Sequence, residues 1–141
     1  MILKLKKLKS DAKLPSYAHP GDAGMDIYSC EERTLLPQEQ ALISTGIAME
    51  IPDGYVGLVW DKSGLSTKHG LKTLAGVIDA GYRGEISIAM ANVGNDSYTF
   101  KKGEKIAQML IQKVEHAEFW EVDKLSETSR GTGGFGSTGK H

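Results

Sequence analysis

The 141-residue chain has the length of one domain with its own buried core, and its 25% charged and 40% hydrophobic residues are those of an ordinary globular protein. Its formal net charge of -1 excludes a general electrostatic attraction to nucleic acid, so a polyanion would have to be held by local groups. Cys30 is the single cysteine, which excludes an intrachain disulfide and fits a reducing compartment, and MILKLKKLKSDAK threads lysines through its apolar positions, unlike a signal peptide or a membrane span. A cytoplasmic protein with neither a nucleic-acid nor a membrane partner is expected.

Strand signals dominate from the start. ILKLKKL (2–8) alternates apolar and basic residues as a half-buried strand does, and its lysines would guard an edge. In MDIYS (25–29) Met25 and Ile27 share one face, so Asp26 lies on the other, in solvent or in a polar site. QALISTGIAMEI (40–51) and GYVGLVW (54–60) are divided by the turn residues Pro52, Asp53 and Gly54. SGLSTKHG (63–70) is the most helical stretch, begun by Ser63 and stopped by Gly70. GVIDAGYRGEI (76–86) reads as a β-hairpin in which Ala80 and Gly81 reverse the chain.

EISIAMANV (85–93), SYTF (97–100), KIAQMLIQKV (105–114) and EFWEV (118–122) complete the strands. KIAQMLIQKV also has helical propensity, but its brevity and β-rich surroundings favour a strand. The short spacing and the turn signals predict an all-β sandwich or barrel. After Leu125, SETSRGTGGFGSTGKH has no aliphatic residue larger than alanine and reads as a mobile arm (126–141) beside a domain of residues 1–125. Phe135 and Arg130, set among glycines, distinguish this arm from a plain linker.

Gly134 to Lys140 fits the G-x-x-x-x-G-K start of a P-loop, yet His141 stands where Ser or Thr would ligate magnesium, and no helix follows to hold the phosphates. The widely separated His19, His69, His116 and His141 disfavour a zinc site, and no G-x-S-x-G elbow supports a serine hydrolase. Other stretches place polar groups at strand ends beside glycine. DKSGLS offers the Lys62 cation, the Ser63 hydroxyl and the Ser63 and Gly64 N–H groups at a helix start, which suits a phosphate, although a cap beside a surface lysine is the commoner use of such a stretch. Asp79 either orients and deprotonates a water or caps its turn. Gln108, an amide in an apolar strand, requires a structural network or a ligand to satisfy it.

In their order, AGMDIYS, DKSGLS, GVIDAGYRGEI, KGEKIAQML and RGTGGFGSTG resemble the five motifs of the trimeric deoxyuridine triphosphate nucleotidohydrolases, the dUTPases, from Ala23 to Gly139. The resemblance implies a distorted jelly-roll-like β-barrel or sandwich with one short helix and a flexible glycine-rich C-terminal arm. It implies a homotrimer with active sites between subunits, the arm of one chain closing over a site built by the others. The reaction would be hydrolysis of dUTP to dUMP and pyrophosphate, limiting uracil in DNA, with Asp79 as general base for the water that attacks the α-phosphorus. Tyr82 would stack beneath the deoxyribose and exclude a 2′-hydroxyl, while the backbone around Gly76 and Ser87 would read the uracil edge. Lys62, Ser63, Gly64 and Gln108 would hold phosphates. Phe135 would stack on uracil while Gly136, Ser137, Thr138 and Arg130 wrap the phosphates, and Asp26 would orient water around a triphosphate-bound Mg²⁺.

The second motif departs from the family's usual Pro-Arg-Ser-Gly-Leu. Lys62 keeps the charge but lacks the bidentate fork, and Asp61 replaces a rigid proline with a carboxylate expected to pair with Lys62 or Lys68 or to face away. Rival readings are a deaminase acting on dCTP, a nucleotide-binding regulator with little turnover, and a purely structural jelly roll. The tyrosine-bearing Asp79–Tyr82 segment and the complete glycine arm favour the dUTPase branch.

Overall fold

The computed structural model describes residues 1–140; His141, the last residue of the expected arm, lies outside them. Ten strands and one helix follow in the order β1 (Lys4–Lys7), β2 (Met25–Tyr28), β3 (Arg33–Leu35), β4 (Gln40–Glu50), β5 (Tyr55–Trp60), α1 (Ser63–His69), β6 (Leu71–Leu74), β7 (Val77–Ile78), β8 (Glu85–Asn92), β9 (Tyr98–Phe100) and β10 (Lys105–Lys113). They form one four-stranded sheet ordered β1-β4-β8-β6, a second ordered β2-β10-β5-β7, and a small β3-β9 pair. Every pairing is antiparallel.

The alternation of β8 shows why these residues form a sheet. Ile86, Ile88, Met90 and Asn92 are buried, while Ser87, Ala89 and Ala91 between them are half-buried on the opposite face. The buried face meets Ile43 and Ile47 of β4, and Ile27, Val59 and Met109 of the second sheet join the same core. Leu35 and Phe100, from the β3-β9 pair, are fully buried in it as well. Burial of such side chains contributes roughly 1.5–3 kcal/mol each.

Two irregularities bend this frame. The register of β4 with β8 shifts between Ser44 and Ala48, where Gly46 sits at φ 68° and a Cβ would come 2.9 Å from both Ala12 Cβ and Cys30 Sγ. The register of β10 with β2 shifts between Lys105 and Ala107.

Two sequence expectations are corrected. Residues 118–122 form no strand: Phe119 is 93% and Trp120 80% exposed, and alternation alone cannot make a strand without an edge to pair with. Residues 76–86 are not a hairpin either, because β7 pairs with β5 in one sheet while β8 pairs with β4 and β6 in the other. The segment is a corner between sheets. The helix expected at 63–70 forms and stops at Gly70, whose φ of 68° lets its N–H reach Ser66 O at 3.0 Å. Its N-cap is Lys62 rather than Ser63, with no side-chain cap.

Phe100 gives the test of the shared core. Replacing it with Ala should lower the unfolding free energy by about 3–5 kcal/mol, read as a fall in urea midpoint at unchanged slope.

Candidate active site

Two groups of the expected residues assemble, at different places. The first follows from strand register: Gln108 on β10 lies opposite Asp26 on β2 and opposite Trp60 on β5, so three strands bring these residues to one row. Asp26 is only 3% exposed. Its Oδ1 accepts a hydrogen bond from Lys62 Nζ, and Lys105 Nζ stands 2.8 Å from Oδ2, an ionic contact that leaves this oxygen without an aligned donor. Burial works to raise the Asp26 pKa, but pairing with Lys105 and Lys62 outweighs it and holds the carboxyl below its ordinary value.

Gln108 finds its partner in the backbone, donating from Nε2 to Asp61 O at 2.8 Å. Gly24 makes room for the amide, since a Cβ there would lie 2.4 Å from Gln108 Oε1. Asp61 takes neither Lys62 nor Lys68 as its partner. It is bound by Lys72 and Thr73 of β6, so of the two expected arrangements it is the one facing away that forms. Ser63 and Gly64 begin α1 and are exposed.

The second group occupies the corner between sheets. Asp79, Tyr82, Glu85 and Ser87 line a cavity of about 370 Å³ together with Leu42, Val77 and Ile78. The corner is held by Tyr82 N–H to Asp79 O at 3.1 Å, and the Tyr82 hydroxyl donates to Glu85 O at 2.9 Å. The ring lies over Gly84, where a Cβ would come 2.5 Å from the tyrosine oxygen. Glu85 in turn accepts from Ser44 Oγ at 2.5 Å and Gly46 N–H at 2.8 Å, and the Ser44 bond keeps its pKa below the usual value against opposing burial. Gly76, at φ 114°, accepts from Val59 N–H at 2.8 Å, and a Cβ there would meet Val59 O at 2.9 Å.

Strand register sets these groups apart along β5. Ile78, next to Asp79, pairs with Gly57, whereas Lys62 follows Trp60, so the strand alone separates them by about 10 Å. The arm meets neither through Phe135, whose ring is fully exposed. Arg130 turns back on its own segment, donating from Nε to Gly133 O at 2.7 Å, while Gly136, Ser137 and Thr138 are exposed. Sequence reasoning missed Lys105 and Gly24, because no local signal announces that β10 lies beside β2. It also missed Leu42 and Val77, apolar residues that read as ordinary strand positions.

Among the described residues no cluster of three or more His, Cys, Asp or Glu is placed to hold a metal ion, and no helix is long and apolar enough to cross a membrane. A jelly-roll β-protein with a carboxylate in an open cavity, and lysines and an amide grouped apart from it, has the groups that hydrolysis of a nucleotide requires. The dUTPase family model matches residues 10–139, and the chain belongs to the dUTPase family. It is 51% identical over 140 residues to the deoxyuridine 5'-triphosphate nucleotidohydrolase of Clostridium tetani, covering 98% of this chain and 97% of the relative. It is 47% identical over 142 residues to that of Thermobifida fusca, covering 99% and 79% respectively. The dUTPase of Staphylococcus bacteriophage 80alpha, solved with dUpNHpp, superposes with a TM-score of 0.93 at 36% identity, covering 99% of each chain. A mutant dUTPase from phage phi11 of S. aureus, described with a structural Mg(II) ion, superposes at 0.83 with 33% identity, covering 88% of this chain and 98% of that one.

The buried carboxylate yields a pH test with a definite sign. A depressed folded pKa means that the unfolded chain binds more protons, so the contribution of Asp26 is present above about pH 4 and is lost as pH falls through the folded value. The stability gap between the unmodified protein and Asp26→Asn should be flat from pH 7 to about pH 5 and should close in more acidic solution. Denaturant midpoints taken at each pH measure it.

Proposed function

We propose that the protein hydrolyses dUTP to dUMP and pyrophosphate, with Asp79 as the general base and with each active site shared among three copies of the chain. The observation that carries this reading is the cavity holding Asp79 and Tyr82, within the volume range of small-ligand pockets, on a chain of the dUTPase family. Asp79 is exposed at the cavity mouth, where its carboxylate aligns a water and takes its proton as the water attacks the α-phosphorus. Tyr82 is pinned by Glu85 O and packs beneath the deoxyribose, while the backbone near Gly76 and the Ser87 position read the uracil edge.

Lys62, Ser63, Gly64 and Gln108 hold the phosphates. Lys62 and Lys105 supply positive charge there, and Asp26 between them keeps both in place. Asp26 Oδ2, buried without an aligned donor, fits a water of a Mg²⁺ ion carried by the triphosphate. Such an ion would neutralise charge on the phosphate oxygens. The arm of another copy brings Phe135 onto the uracil and Arg130, Gly136, Ser137 and Thr138 around the phosphates, excluding water from the closed site. Sharing among copies is supported by the separation of the two groups within one chain.

Pyrophosphate release with Mg²⁺ should be seen with dUTP and not with dTTP, dCTP or UTP. Asp79→Asn should cost about 10²–10⁴-fold in kcat with the fold intact. Ammonia release from dCTP would overturn the reading in favour of deamination. Lys62→Arg should keep or raise activity, because the guanidinium retains the charge and adds a bidentate fork; steady-state kinetics on a variant of unchanged melting temperature decide this.

A further inference from the structure

We propose that Asp61 is a positioning residue: it clamps the turn Lys62–Ser63–Gly64 between the two sheets, and so sets affinity for the phosphate chain of the substrate. The proposal rests on the assignment of that turn to the phosphates.

Asp61 is the first residue past β5, and its side chain crosses to the other sheet. Its Oδ1 accepts both the N–H of Thr73, at 2.7 Å, and the Thr73 hydroxyl, at 2.6 Å, and its Oδ2 takes Lys72 Nζ at 2.9 Å. Both partners lie on β6, the edge strand of its sheet, so the Thr73 N–H has no neighbouring strand on that side and the carboxylate supplies its acceptor. Thr73 is itself buried and registers with Met90 of β8 in the core, which makes the anchor rigid.

The main chain of Asp61 is held from the opposite direction, by Gln108 Nε2 of β10. One residue therefore joins the two sheets at the point where the chain turns into the helix, and the next side chain, Lys62, is aimed at Asp26. The same contacts answer the electrostatic difficulty of an acid beside a phosphate site. Three donors consume both oxygens and turn the charge toward β6, away from Asp26 and its lysines. Burial works to raise the Asp61 pKa, but the bonds from Thr73 and Lys72 outweigh it, so the group stays ionised and bound at neutral pH. A residue that only stabilised the fold would affect all ligands alike. One that places the turn should weaken a triphosphate most.

Calorimetric titration with dUpNHpp and with dUMP, in Mg²⁺, separates these cases. Asp61→Ala should lose about tenfold or more in affinity for dUpNHpp and less than about threefold for dUMP. Asp61→Asn keeps an oxygen for Thr73 and should recover most of the loss, and Lys72→Ala, at an exposed pair, should cost only about threefold. Equal losses for both ligands, or no loss in Asp61→Ala, would overturn the proposal. Should Asp61→Ala fail to fold, Lys72→Ala carries the same comparison, and unchanged dUpNHpp affinity there, or equal losses for dUpNHpp and dUMP, overturns it. Lys62→Ala tests the underlying assignment separately: if it leaves dUpNHpp affinity unchanged, the turn does not hold phosphates, whatever Asp61 does.

Discussion

A one-residue slip in β10 governs what faces the buried Asp26. Lys105 pairs with Tyr28, and an unbroken ladder from there would bring Ala107 opposite Asp26; the irregularity after Lys105 brings Gln108 there instead. Ile106 and Ala107 are both fully buried, so the slip conceals two consecutive residues in the core while delivering the amide to the polar row. The same row extends to Trp60, which fixes where β5 ends and where Lys62 leaves the sheet. A carboxylate this deeply buried would be costly alone, and two lysines compensate it. The charges in turn hold the lysines at one spot, which is what an anion site requires.

The second irregularity does comparable work for the cavity. Ser44 pairs with Ser87, but Ala48 pairs with Glu85, a shift of two residues centred on Gly46. It frees the Gly46 N–H and the Ser44 hydroxyl to hold Glu85 at the start of β8. Glu85 O then receives the Tyr82 hydroxyl, and the ring settles over Gly84. The orientation of Tyr82 is thus set by a bulge on a strand that it does not belong to. Both bulges convert regular sheet into a place where a side chain is aimed.

Much of this was legible in the sequence, and the remainder was not for physical reasons. Strands with clear alternation, such as β8, and a helix closed by Gly70 declare themselves locally. Three short strands, Arg33–Leu35, Leu71–Leu74 and Val77–Ile78, hold too few residues to show a period and exist because a neighbour pairs with them. The corner at 76–86 carries hairpin signals because turn residues report a reversal of the chain without saying which sheet each arm joins. The residues proposed for the site, Asp26, Lys62, Asp79, Gln108 and Phe135 among them, stand in the sequence as an ordered set of motifs. Their contacts were not: the bond of Asp61 to Thr73 and that of Lys105 to Asp26 depend on tertiary register.

Separation of the two polar groups also makes sense of surface that a lone chain leaves uncovered. Leu42 and Val77, which line the cavity of Asp79, are each about two-thirds exposed, and Phe119 and Trp120 follow β10 with almost no cover. An apolar wall open to water is costly, and a nucleoside alone would cover only part of it. In the proposed assembly another copy would close the wall, bring its lysine and amide group to the phosphates and lay its arm across the mouth. The base would then act only where copies meet. Positions as distant in sequence as Asp79 and Phe135 would become neighbours without any single chain having to fold one onto the other.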